Sequence, residues 1–178
     1  MKKYILISVF IIGSIVLWSV SRPGSVGQAD PVSSTDSPTQ TLPDGTEQIF
    51  VDPNGNFSFS YDAPYILTRV EDGTYEAVLV QKEGSGLQVY ITDFVDSGVF
   101  NAARVKKEVG GNLQNLQDIE MPGGFPAVTF STRTSQGDEW DVWFVAGQGS
   151  AKTLYQITVD PGHDGVLKKL VESWRFEE

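Results

Sequence analysis

The chain has 178 residues, with 13 Lys+Arg against 23 Asp+Glu, a net charge of −10, one histidine and no cysteine. Without cysteine there is no disulfide, no thiolate metal site, no Fe–S cluster and no cysteine nucleophile, and one histidine cannot build a multi-histidine metal centre. The acidic balance lacks the basic footprint of a nucleic-acid groove, while 40% hydrophobic and 11% aromatic content fits a packed globular domain.

Residues 1–20 read as a membrane anchor or a signal peptide. Lys2 and Lys3 precede an uncharged apolar run from Tyr4 to Val20. As a helix this run is about 26 Å long, near the short limit for crossing a bilayer core of about 30 Å. It is longer than the usual secretory core of about 7–15 residues, and Gly27-Gln28-Ala29 lies far from it for a cleavage site. An uncleaved anchor is therefore favoured, with a cleaved, secreted form as the alternative. Lys2 and Lys3 hold the N-terminus inside, so both readings put the rest of the chain outside the cytoplasm. The expectation is a single-pass cell-membrane protein of a bacterium.

Residues 21–47, SRPGSVGQADPVSSTDSPTQTLPDGTE, hold almost no large apolar side chain and read as a flexible linker. Residues 48–178 read as one domain. Of the basic residues only Lys2, Lys3 and Arg22 precede it, and of the acidic ones only Asp30, Asp36, Asp44 and Glu47. The acidity is thus a property of the domain.

Within the domain, strict alternation in Phe57-Ser-Phe59-Ser-Tyr61 predicts a strand. Strands follow at Ile66–Val70, at Tyr75–Gln81 after a Glu71-Asp72-Gly73 turn, and over Leu87, Val89 and Ile91 after Glu83-Gly84-Ser85-Gly86. Val99, Ala102, Val105 and Val109 share one helical face that ends at Gly110-Gly111. Four more strands are predicted at Leu116–Met121, Gly124–Thr134, Glu139–Ala146 and Thr153–Val159, the last three joined as hairpins. A closing helix spans about Gly162 to Trp174, with Asp160-Pro161 as its cap and first residue, and Val166, Leu167, Leu170, Val171 and Trp174 as its apolar stripe. The reading is α+β: an antiparallel sheet of about six to eight strands with helices packed on it.

The opening FVDPNGNFSFSYDAP, the helix after the fourth strand, then GGFPAVTF, LYQITVD and a closing helix ending SWRF resemble the PsbP-like family. The resemblance covers about Gln48 to Phe176. It implies an α/β/α sandwich that serves as a scaffold for other macromolecules and is not typically an enzyme. That family includes the extrinsic photosystem II subunit, a Ran-binding relative and many secreted or anchored bacterial proteins. The photosystem role does not carry over, because the N-terminal segment and histidines used there are missing and His163 matches none of them.

Chemical motifs are sparse. His163, between Asp160 and Asp164, would need a distant serine for a triad and reads as an exposed turn residue. Asp52-Pro53-Asn54-Gly55-Asn56 misses the calcium-loop spacing and reads as a tight turn. Asp138, Glu139 and Asp141 crowd a hairpin; Asp138 and Glu139 point to opposite faces, and a solvated edge is the expectation. Trp140, Val142 and Phe144 share one strand face and Trp143 and Val145 the other. Helices packed on the sheet would bury most of these aromatics, so core is the expectation; the alternative is an exposed groove for a partner, with Trp143 and Tyr155 as the candidate partner-binding residues.

No cofactor, metal or nucleic acid is expected. The reading is a non-catalytic, extracytoplasmic binding or assembly module, held to the membrane by its N-terminal helix and meeting an extracytoplasmic protein partner. The alternative from another class is an extracytoplasmic hydrolase using only carboxylates, drawn from Asp138, Glu139 and Asp141.

Overall fold

Alternation and glycine turns build most of the molecule. A computed structural model describes residues 42–71, 75–95, 98–148 and 151–176. The anchor expected at 1–20, nearly all of the linker, and the turn residues 72–74 and 149–150 lie outside these. Among the described residues no helix is long and apolar enough to cross a membrane.

The chain forms β1 (Glu47–Val51), β2 (Phe57–Asp62), β3 (Ile66–Glu71), β4 (Glu76–Lys82) and β5 (Ser85–Asp93), then α1 (Ala102–Val109). There follow β6 (Gln114–Met121), β7 (Phe125–Arg133), β8 (Asp138–Gln148), β9 (Ala151–Val159), α2 (Asp164–Ser173) and β10 (Arg175–Phe176). Seven strands make one antiparallel sheet in the order β3-β4-β5-β9-β8-β7-β6. The expected hairpins form, and β9 closes the sheet by pairing with β5, Val89 opposite Ile157.

The expected antiparallel sheet of six to eight strands with helices packed on it is present, with seven strands, and a second, smaller sheet adds to it. β2 does not join the large sheet; it pairs with β1 and β10 in a separate three-stranded sheet. β1 escaped notice because it carries apolar residues on both faces, Phe50 inward and Ile49 and Val51 exposed, and β10 has only two residues. β1 also takes in Glu47, the last residue of the expected linker, and Gly45 N–H donates to the Ala63 carbonyl at 2.8 Å. The fold therefore starts a few residues upstream of Gln48.

The small sheet and α2 cover one face of the large sheet. Phe57, Phe59 and Tyr61 of β2 meet Leu170, Trp174 and the inward residues of β4, β5, β8 and β9 in the main core. On the opposite face α1 encloses a smaller core of Val105, Val128, Phe130, Phe94 and Phe100, with Trp143, Val145 and Leu154 packed against it. The alternation expected along β8 holds: Val142 and Phe144 enter the first core, Trp143 and Val145 the second.

Both helices begin later than expected, α1 at Ala102 and not at Val99, α2 at Asp164 and not at Gly162, for local reasons. Asn101 caps α1 by accepting from Arg104 N–H at 3.0 Å, which leaves Val99 outside the helix and 78% exposed. Asp160 does not cap α2. Its carboxylate instead accepts from Ser85 Oγ at 3.0 Å and Gly86 N–H at 2.9 Å, and the helix starts at Asp164. This ties the start of β5 to the approach to α2 and makes Gly86 critical. A Cβ there would lie 2.2 Å from the Val80 carbonyl oxygen, at φ 156°. Gly86→Ala is expected to destabilise the domain by about 2–3 kcal/mol in urea titration, whereas Gly84→Ala, with open space around it, costs about 1 kcal/mol.

Candidate binding site

At one end of the large sheet, β7 begins, β8 ends and β9 begins. The register places Gly147 opposite Lys152 and Val145 opposite Leu154, on the face that carries α1. The chain leaves β5 here and runs from Phe94 to Phe100 before entering α1. Phe94 N–H donates to the Lys152 carbonyl at 2.8 Å, so this segment is fastened to the start of β9. Phe94 and Phe100 meet edge to face with centroids 6.0 Å apart, and the Arg104 guanidinium lies 4.8 Å from the Phe94 ring centre.

Between this segment and the strand ends lies a cleft of about 370 Å³. Phe94, Val99 and Phe100 line one side, Phe125, Pro126 and Val145 the other, with Gly98, Gly147 and Lys152 completing it. Val95 and Val99 stand 73% and 78% exposed beside it. Lys152 is half-buried in this apolar setting. Among the described residues it is the half-buried lysine without an ion pair, for Lys169 is held by Glu47 and Asp62.

A second cavity, about 310 Å³, lies between the end of β2 and the start of α2, lined by Tyr61, Asp62, Tyr65, His163, Val166 and Lys169 among others. Its polar groups answer one another. Tyr65 Oη and His163 Nδ1 are 2.7 Å apart, and Lys169 donates to Asp62, whose hydrogen bond holds the ammonium above its ordinary pKa. Burial pushes the Tyr61 and Tyr65 hydroxyls up. His163 is thus not the exposed turn residue expected but a half-buried partner of Tyr65.

The carboxylate cluster also needs correction. Asp138 pairs with Arg133 at 3.0 Å, as a hairpin-end residue does. Asp141 is only 5% exposed, because it lies three residues into β8 between β7 and β9. Thr158 Oγ1 donates to its Oδ1 at 2.7 Å and Trp143 Nε1 at 3.3 Å. Burial outweighs these donors, and the nearby Glu139 charge adds to it, raising the carboxyl from 3.8 to about 7. Glu139 is itself pushed up, by burial first and then by Asp160. None of the three lines either cavity.

The Asp52 turn forms as expected. Asp52 Oδ2 accepts from Asn56 N–H and Nδ2 at 3.2 and 2.7 Å, and Gly55 takes φ 70°. No group of three or more metal-ligating side chains occurs among the described residues. Trp143 and Tyr155 do not share a surface. Tyr155 is 5% exposed and stacked on Phe144 at 5.0 Å in the main core, so it offers nothing to a partner there. Trp143 lies on the other face, edge to face with Phe130 and two residues from the cleft residue Val145. Sequence reasoning missed Lys152 and the two phenylalanines. The available signal was the placing of Phe94-Val95 and Val99-Phe100 on either side of Asp96-Ser97-Gly98, with no strand or helix period.

Neither a family model nor a curated protein matches the chain. Among solved structures it is similar to one from Bacteroides thetaiotaomicron VPI-5482, at 14% identity and a TM-score of 0.43, over 73% of this chain and 48% of that one. The chain thus spans about half the length of that protein. It is also similar to the cyanobacterial PsbP (CyanoP) of Synechocystis sp. PCC 6803, at 14% identity and a TM-score of 0.48, over 86% of this chain and 99% of that one. A PsbP therefore stands among the structures this α+β chain is similar to, and the likeness is one of fold.

Proposed function

We propose that the domain is a non-catalytic binding module that works outside the cytoplasm, held near the membrane by residues 1–20 through the linker. The observation that carries the reading is the cleft that, among the described residues, Phe94, Val99 and Phe100 line on one side and the ends of β7, β8 and β9 on the other. The exposed Val99, with Phe125, Pro126 and Val145 facing it, binds an apolar group of a partner by removing both from water, at about 25 cal/mol per Å² buried. The carboxylate-only hydrolase would need two carboxyls converging in a cleft, whereas Asp138 answers Arg133 and Asp141 answers Thr158.

Two measurements test this. A photo-crosslinking residue at Val99 of the full-length protein in cells is expected to give an adduct, and one at Ile49, also exposed but on β1, is not. Equal capture from both positions, or none from either, overturns the cleft as the binding surface. Fractionation is expected to leave the protein in the membrane pellet, with the domain open to protease in spheroplasts. A soluble mature form beginning near Asp30 would replace the anchor by a cleaved signal.

A further inference from the structure

We propose that the second cavity, between the end of β2 and the start of α2, receives one neutral sugar ring, such as the end unit of a glycan. This goes beyond the cleft and concerns a separate site, lined by residues of β2, α2 and the connections that flank them. The first reason is charge. Lys169 is held by both Asp62 and Glu47, and Asp62 is held by Lys169. An arriving anion competes with those two carboxylates and an arriving cation with the ammonium, so a charged ligand gains little that the protein has not already supplied. A neutral ligand leaves these bonds in place.

The second reason is hydrogen-bonding capacity. An ammonium has three donors, and the two carboxylates use two of them. The Asp62 carboxylate keeps acceptor sites beyond the one that Lys169 takes. Tyr65 Oη and His163 Nδ1 bond to each other at 2.7 Å, which leaves the hydroxyl a further bond and the ring its Nε2. Burial pushes the Tyr65 hydroxyl up, so it keeps its proton at neutral pH. Donors and acceptors thus stand side by side, and the group that answers both kinds at one atom is a hydroxyl. The third reason is shape. The Tyr65 and His163 rings meet at 78° with centroids 5.8 Å apart, and Tyr61 and Val166 add apolar wall. Gly162 and Gly165 also line the cavity, and a Cβ on either would meet nothing within 4 Å. A pyranose matches this division, with C–H groups on its faces and hydroxyls around its rim. The volume of about 310 Å³ lies at the small end of the range for ligand pockets, about 300–1,000 Å³, which suits one ring and not a chain.

The test uses full-length protein, isotope-labelled and held in lipid nanodiscs, titrated with methyl glucoside and separately with cyclohexylmethanol, a ring of similar size with one hydroxyl. The signals of Gly162, His163 and Gly165 are followed, with Val145 and Gly147 marking the cleft. The glucoside is expected to shift the first three to saturation, to leave the other two in place, and to bind at least tenfold more tightly than cyclohexylmethanol. Tyr65→Phe keeps the ring and removes the hydroxyl. It should weaken the glucoside about fivefold, the scale of one neutral hydrogen bond, while the spectrum of the rest of the domain stays as it is. Gly165→Leu fills the open space with a better helix former and should abolish binding. Equal affinity for the two ligands, or unchanged affinity in both variants, overturns the sugar site. Larger shifts with inorganic phosphate than with the glucoside replace the sugar by an anion. Shifts confined to Val145 and Gly147 move the sugar to the cleft and overturn this cavity, as does the absence of any shift.

Discussion

Trp174→Ala is expected to lower the stability of the domain by about 3–5 kcal/mol, read as a fall in the urea midpoint with little change in slope. The indole is fully buried. It stacks on Phe57 at 4.7 Å and on Phe59 at 5.6 Å, and meets Phe144 and Tyr155 edge to face at 5.2 and 5.5 Å. One side chain thus joins the small sheet to β8 and β9, and its loss leaves a cavity that neither sheet can close alone. Trp174→Phe is the informative companion. The indole Nε1 is buried with no hydrogen-bond partner, so phenylalanine loses volume but also removes an unpaired donor worth about 1–3 kcal/mol. The expected cost is less than half that of alanine. A loss below about 1 kcal/mol for alanine would place the residue at the surface and contradict the core described above.

Asp141→Asn is expected to stabilise the domain at pH 8 and to leave it little changed at pH 4. The carboxyl stands near 7 in the folded protein, against 3.8 ordinarily, because burial penalises its charge. The folded state therefore holds the proton more tightly than the unfolded chain does. Its contribution is fully present below pH 3.8 and is lost as the pH rises through about 7. At about 1.4 kcal/mol for each pH unit, that interval amounts to something on the order of 4 kcal/mol. Asparagine keeps an acceptor for Thr158 Oγ1 and never ionises, so the difference between variant and parent should grow from pH 4 to pH 8. Glu139, pushed up in the same direction, tilts both proteins alike. Chemical denaturation across this range checks it. A flat difference, or one that grows toward acid, would mean that Asp141 is charged and well solvated in the fold.

The contrast between these two residues shows what the sequence could convey. Trp174 was legible because the stripe from Val166 to Trp174 follows the helical period, and period reports which side faces inward. The helix in fact stops at Ser173, and the turn of backbone at Trp174, ψ 131°, delivers the ring to the core. Asp141 was misjudged because its neighbours in sequence, Asp138 and Glu139, lie by a turn, while its own surroundings come from β7 and β9. Strands separated by glycine turns were legible for the same local reason. The split into two sheets was not, since it depends on β10 finding β2 across more than a hundred residues. Lys152 was hidden likewise. The pairing of β9 with β8, Lys152 opposite Gly147, and the backbone bond from Phe94 N–H to the Lys152 carbonyl bring it to the cleft.

The small sheet also determines how the domain bears load. Any pull transmitted along the chain from the N-terminal side first meets the backbone bonds of Gly45 and Thr46 to Ala63, and then Glu47, the opening residue of β1, which lies at the sheet edge opposite Asp62. Force applied there unzips the ladder of β1 one pair at a time, a weak mechanical geometry compared with shearing all its bonds together. Lys169 grips both Glu47 and Asp62 and acts as the stitch at the head of that zipper. The seven-stranded sheet lies outside this path. Stretching would strip β1 away and bare Phe50 and Phe59 while β3 to β9 remained paired. Pulled from that end, the domain would yield at its rim before its centre is disturbed.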